Sequence, residues 1–118
     1  ITGSAGNKAY DRRAEIVHAA QDRIDHLVLT FEDTDDETVE QVCADMNDSV
    51  TNPQLDVKTI LDRAEAVETT VSHDRKDPEH LHIILIIGKG NERWFKDHGK
   101  HIPYEGDDRI VERVFRLK

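Results

Sequence analysis

The stretch that most constrains the fold is Leu81-His82-Ile83-Ile84-Leu85-Ile86-Ile87, which runs directly into Gly88-Lys89-Gly90-Asn91-Glu92. Six of its seven residues are large aliphatics with no apolar–polar alternation. That is the pattern of a strand buried on both faces, in the middle of a parallel sheet covered by helices. Each such side chain stabilises by roughly 1.5–3 kcal/mol when fully buried, so this strand is expected at the centre of the core. Two glycines flanking a lysine end it. Glycine allows a sharp turn and a close approach to a ligand, and in open α/β sheets ligands occupy the crevice outside the carboxyl ends of the strands. Gly88 to Glu92 is therefore the first candidate binding site. A plain strand-to-hairpin turn would account for the same five residues without a ligand.

The remaining chain alternates strand and helix. Ile1-Thr2-Gly3 reads as a strand end without an initiator methionine, so the chain is expected to be a piece of a longer one. Residues 3–8 (Gly-Ser-Ala-Gly-Asn-Lys) then form a loop that could hold an anion at a helix N-terminus, although a tight turn fits equally well. A helix is predicted from about Asp11 to Arg23, with Ile16, Val17, Ala20 and Ile24 as its apolar stripe. His26 to Thr30 is a short strand, and residues 31–37 (Phe-Glu-Asp-Thr-Asp-Asp-Glu) are a strongly acidic loop at its carboxyl end. Thr34 and Glu37 have capping-box spacing, so part of this acidity is expected to start a helix. In that helix Val39, Val42, Cys43 and Met46 repeat at i, i+3, i+4 and i+7. Leu55 to Ile60 reads as a strand. Asp62 caps a helix that turns Ala64, Val67 and Val71 inward. Beyond Glu92, Trp94-Phe95-Lys96 and His101 to Tyr104 form a hairpin across Asp97-His98-Gly99. A last helix, capped by Asp107-Asp108, carries Ile110, Val111, Val114 and Phe115 on one side. The alternation predicts an α/β fold with a largely parallel sheet and right-handed crossovers, as one domain over residues 1–118.

Composition narrows the function. The net charge of −9 repels phosphate backbones, which argues against a nucleic-acid partner. No apolar run approaches the length of roughly 18 residues that a membrane span needs, and the start does not resemble a signal peptide. The single cysteine, Cys43, falls on an apolar helix face, so packing is its expected role. These features fit a cytoplasmic location. Among the seven histidines, His80-x-His82 and His98-x-x-His101 would need a third convergent ligand to hold zinc, and the expectation is that no metal binds. No serine or cysteine sits in a nucleophile elbow, and neither glycine loop has P-loop spacing. From the residues alone, this is a small α/β ligand-binding domain with two glycine loops and an acidic loop on one edge.

Four segments carry a resemblance. Residues 86–92 (Ile-Ile-Gly-Lys-Gly-Asn-Glu) are followed by Gly99-Lys100-His101-Ile102-Pro103-Tyr104 and Asp107-Asp108. Gly3 to Arg13, Thr30 to Glu37 and Asp62-Arg63-Ala64-Glu65-Ala66 precede them in the same order and spacing. Together they resemble the C-terminal domain of the Mur ligases that make UDP-MurNAc-tripeptide in bacterial peptidoglycan synthesis. The motifs there read Gly-Lys-Gly-His-Glu, Gly-x-x-Gly-Asp-Arg-Asp, Thr-x-Asp-Asn-Pro-Arg and Asp-Arg-x-x-Ala. The resemblance implies a Rossmann-like, three-layer domain with a C-terminal hairpin. It also implies a ligase that uses ATP and magnesium to phosphorylate the carboxylate of a UDP-MurNAc-peptide, after which the amine of an incoming amino acid attacks the acyl phosphate. In the family a central domain carries the P-loop and an N-terminal domain holds the UDP. The C-terminal domain closes over the site and supplies much of the amino-acid pocket.

The same resemblance assigns residues. Gly88 and Glu92 stand where the family contacts the far end of the added amino acid, and Lys8 stands where a family arginine contacts its carboxylate. Asp33 stands at the family's asparagine. Asp35 stands where the enzymes that add diaminopimelate have an arginine for its second carboxylate, and Thr34 replaces the family proline. A carboxylate at position 35 would repel diaminopimelate. Glu32, Asp33, Asp35 and Glu92 together suit a cationic side chain such as lysine or ornithine. The alternatives are a non-catalytic binding module of the same fold, or a ligase of the superfamily acting on folate or an amino-acid polymer.

Overall fold

The computed structural model describes residues 1–6 and 10–116. Its helices are α1 (Tyr10–Ala20), α2 (Val39–Asp48), α3 (Arg63–Arg75) and α4 (Asp107–Arg116). Its strands are β1 (His26–Leu29), β2 (Asp56–Thr59), β3 (Trp94–Asp97) and β4 (Lys100–Pro103). β1 and β2 pair in parallel, with Leu27 opposite Val57, and β3 and β4 form the antiparallel hairpin. The parallel ladder continues on the other side of β1. Thr2 donates its N–H to Val28 O at 3.0 Å and accepts from Thr30 N–H at 3.0 Å. Ile1 donates to Leu85 O at 2.7 Å and accepts from Ile87 N–H at 3.1 Å. The lanes therefore run β2, β1, Ile1–Thr2, residues 81–87, all parallel.

Two apolar clusters, one on each face of this sheet, make the three-layer α/β arrangement. On one face Val17 of α1 meets Leu27 and Leu29 of β1, Val42, Cys43 and Met46 of α2, and Leu55. On the other, Val67 and Val71 of α3 meet Ile110 and Val114 of α4 and Tyr104, with Ile1, Ile84, Ile86, Phe31 and Phe95 packed against them. The helical spacing of Val42, Cys43 and Met46 thus becomes buried surface, and Asp62 caps α3 by accepting from Glu65 N–H at 3.2 Å.

Three expectations change. Residues 81–87 are extended but form an edge lane rather than the centre of the core. Ile84 and Ile86 face α3 and α4, whereas Leu81, Ile83, Leu85 and Ile87 are 92, 85, 66 and 47 % exposed. Six aliphatics in seven positions report two apolar faces, but they do not report what covers each face. The Thr34–Glu37 capping box does not form. Thr38 caps α2 by accepting from Gln41 N–H at 3.1 Å, and Glu37 instead pairs with Arg13 at 2.6 Å. Phe115 lies outside the core, with its ring under the Arg75 guanidinium at 5.2 Å.

Candidate functional site

The carboxyl ends of the parallel lanes converge on one edge, and three loops meet there. The first, at Gly6, donates its N–H to Asp33 O at 2.7 Å. A Cβ on Gly6 would lie 1.6 Å from Thr34 O, so only glycine allows this approach. The second is the acidic loop after β1. The third is residues 88–92. Gly88 has φ of +110°, and a Cβ on it would lie 2.5 Å from Glu32 Oε2. The edge on which the sequence placed its two glycine loops and its acidic loop is therefore assembled by direct contact among the described residues.

Lys89 lies at the centre. Its side chain is fully buried, and Nζ donates to Asp33 Oδ1 at 3.0 Å and to Glu92 Oε2 at 3.1 Å. The indole of Trp94 is 5.2 Å away, within cation–π range. Asp33 Oδ1 also accepts the backbone N–H of Lys96 at 2.8 Å, which fastens the acidic loop to the hairpin. Two residues on, Asp35 bridges to Asp97 and its carbonyl accepts His98 N–H at 2.7 Å. Asp35 has φ of +54°, a left-handed conformation that aspartate tolerates better than most residues. Beside it a groove of about 300 Å³ is lined by residues including Phe31, Thr34, Phe95 and His98. Burial raises the Glu32 carboxyl above its ordinary range, with Asp33 adding to the rise and Arg63 opposing it.

A buried arginine holds this edge from beneath. Arg63, at the start of α3, is fully buried and pairs with Asp107 through Nε–Oδ1 at 2.9 Å and Nη2–Oδ2 at 2.8 Å. It also donates to Phe31 O and Ile87 O, both at 2.9 Å. One guanidinium thus ties the ends of β1 and of residues 81–87 to the first turn of α4. Tyr104 donates its hydroxyl to Asp107 at 2.6 Å, and burial together with that bond pushes its phenol well above the usual range.

Of the residues singled out from the sequence, Asp33, Gly88 and Glu92 meet around Lys89, and Asp35 sits further along the same loop, against the hairpin. Lys8 lies outside the described residues. Sequence reasoning missed Lys89 as the cation between two carboxylates and Arg63 as the hub. The signal for Lys89 was its place between two glycines. For Arg63 it was a cation directly after a helix cap, where an acidic residue is the usual choice. His80 and His82 both bond Asp77, at 2.8 and 3.0 Å. No group of His, Cys, Asp or Glu among the described residues is placed to hold a metal ion.

The chain is 50 % identical over 117 residues to UDP-N-acetylmuramyl-tripeptide synthetase of Bifidobacterium longum, covering 99 % of this chain and 23 % of that protein. The chain is a Mur-ligase homologue. It is also 30 % identical to the UDP-N-acetylmuramoyl-L-alanyl-D-glutamate–L-lysine ligase of Enterococcus faecalis, over 100 % of this chain and 22 % of the relative. A solved UDP-N-acetylmuramoyl-L-alanyl-D-glutamate–2,6-diaminopimelate ligase superposes with a TM-score of 0.79, at 24 % identity, over 98 % of this chain and 23 % of that one. That likeness establishes the shared fold. No family model matches. The chain spans under a quarter of the length of the Mur ligases it matches. No helix among the described residues is long and apolar enough to cross a membrane.

Proposed function

We propose that residues 1–118 are the C-terminal, amino-acid-binding domain of a cytoplasmic, ATP-dependent Mur ligase that adds a basic amino acid, lysine first among them, to a UDP-MurNAc-peptide. The observation that carries this reading is the convergence of Asp33 and Glu92 on a single ammonium, that of Lys89. The edge already binds one primary ammonium by charge-assisted hydrogen bonds. The Glu92 side chain remains 39 % exposed, and with Asp35 further along the acidic loop, against the hairpin, the edge keeps an excess of negative charge after Lys89 is counted. A second ammonium at the tip of a substrate side chain meets that excess, whereas a carboxylate there meets like charge. The resemblance to an enzyme named as an L-lysine ligase points the same way. In this reading Gly88 and Glu92 contact the far end of the amino acid, Asp33 and Asp35 set its charge, and Lys8 takes its carboxylate.

The described residues offer neither a nucleotide P-loop nor a magnesium site. Neither glycine loop has P-loop spacing, and the described carboxylates form no cation cluster. ATP, magnesium and the UDP-sugar are therefore assigned to the central and N-terminal domains of the same ligase. This domain's part is to hold the amine in line and to exclude water on closure.

The test uses the full-length ligase. kcat/KM is measured for lysine, ornithine, alanine and diaminopimelate in wild type, Asp35→Arg and Glu92→Gln. Asp35→Arg should lower the lysine-to-diaminopimelate ratio by about tenfold or more, equivalent to about 1.4 kcal/mol. Glu92→Gln should weaken lysine more than alanine. If neither variant moves these ratios, the acidic loop only anchors the hairpin.

A further inference from the structure

A lysine between two glycines is well suited to gripping the phosphate or carboxylate of a substrate. Lys89 is turned the other way. Both flanking glycines take positive φ, +110° at Gly88 and +54° at Gly90, and the side chain between them is 0 % exposed. An ammonium carries three N–H donors. Two of them end on Asp33 Oδ1 at 3.0 Å and Glu92 Oε2 at 3.1 Å, and the Trp94 ring lies over the group at 5.2 Å. Its burial leaves no face of Nζ for a substrate.

Lys89 holds Glu92 twice. Its carbonyl accepts the Glu92 N–H at 3.0 Å, and its ammonium takes Oε2, which leaves Oε1 on a side chain that is 39 % exposed. Asp33 Oδ1 is shared with the Lys96 N–H at 2.8 Å, so one ammonium joins the acidic loop, residues 88–92 and the hairpin. Without that cation, Asp33 and Glu92 would repel each other. Glu92 would also swing through several rotamers, and freezing such a side chain on binding weakens affinity.

We infer that Lys89 is a positioning residue for the added amino acid: it does not touch the substrate, and its ammonium fixes the Glu92 carboxylate where the tip of a basic side chain is read. The inference rests on the reading that this edge binds a basic amino acid. It also sets the charge count. Two carboxylates around one ammonium leave a single negative charge, which one substrate ammonium balances.

The test is a double-variant cycle in the full-length ligase, with wild type, Lys89→Met, Glu92→Gln and the combination. Methionine keeps the unbranched apolar stem and removes the charge. Lys89→Met should raise the KM for lysine by about tenfold or more, with a smaller change in kcat and unchanged KM for ATP and for the UDP-MurNAc-dipeptide. In the Glu92→Gln background the same substitution should raise it by less than about threefold, because a residue that acts through Glu92 has nothing left to position. A general structural role would instead hit both backgrounds alike, and that result overturns the inference. So does a lower KM for lysine in Lys89→Met, which would make Lys89 a competitor for the pocket, and so does a rise confined to ATP or the nucleotide-sugar, which would make it an anion grip. Reductive methylation of the wild-type enzyme, mapped by mass, needs no variant to fold. Lys89 should stay unmodified while the exposed Lys58 and Lys76 react, and a methylated Lys89 would mean that its ammonium is open to ligands. A wild type that prefers diaminopimelate to lysine removes the functional reading and this role with it, whereas a lysine-preferring wild type with additive variants removes the role of Lys89 alone.

Discussion

Replacing Arg63 by methionine keeps most of the side-chain volume and removes the guanidinium. The wild-type group is fully buried and makes four bonds, two to Asp107 and one each to Phe31 O and Ile87 O. The variant leaves the Asp107 carboxylate buried with Tyr104 OH as its close side-chain partner among the described residues, and leaves two carbonyls to find water. Breaking a buried pair by removing one partner costs about 3–5 kcal/mol. That is a large share of the roughly 5–15 kcal/mol that stabilises a domain. Unfolding entropy of about 2.1 cal/mol/K per residue makes 1 kcal/mol worth roughly 4 °C in a chain of 118 residues. Arg63→Met should therefore lower Tm by about 12–20 °C, with a matching shift of the urea midpoint at unchanged slope. Arg63→Met combined with Asp107→Asn removes the orphaned charge and should cost less than the sum of the two single variants. A loss below about 1 kcal/mol in Arg63→Met, or strict additivity in the double variant, would refute the hub, since either result means that the pair adds little beyond its separate members.

Other perturbations probe the edge. Burial raises the Glu32 carboxyl above its ordinary 4.5, so the folded state disfavours its ionised form. The unfolded carboxyl gives up its proton first as pH rises, and stability falls through the window from 4.5 up to the folded value. Glu32→Gln should therefore stabilise the chain at neutral pH, and its advantage in urea titrations should shrink as pH falls to 4.5 and below. Gly6→Ala should destabilise by about 1–3 kcal/mol, because the new Cβ would meet the Thr34 backbone at 1.6 Å and overpacking costs that much when backbone must move. A wild-type melting curve for this variant would mean that the Gly6 loop does not dock on the acidic loop.

How far the sequence reached depends on whether a signal was local. The spacing of Val42, Cys43 and Met46, the Asp62 cap and the hairpin around Asp97-His98-Gly99 are set within a few residues, and the structure carries all of them. Thr34 and Glu37 had the spacing of a cap, but Arg13, distant in sequence, claims Glu37, and Thr38 caps instead. Residues 81–87 were legible as a strand-former and not as an edge, because pairing is decided by the neighbouring lanes. At the candidate site the glycines and carboxylates were visible as types. That Lys89 sits between Asp33 and Glu92 was not, since 56 residues separate Lys89 from Asp33 and no periodicity links them.

The most direct test of the central claim is a competition assay in the wild-type full-length ligase. Lysine and diaminopimelate are supplied at equal concentration with ATP, magnesium and the UDP-MurNAc-dipeptide, and the ratio of the two tripeptide products is read by mass. The acidic edge around Asp33, Asp35 and Glu92 predicts the lysine product in excess by about tenfold or more, as a difference of about 1.4 kcal/mol requires. A product pool dominated by diaminopimelate would contradict it.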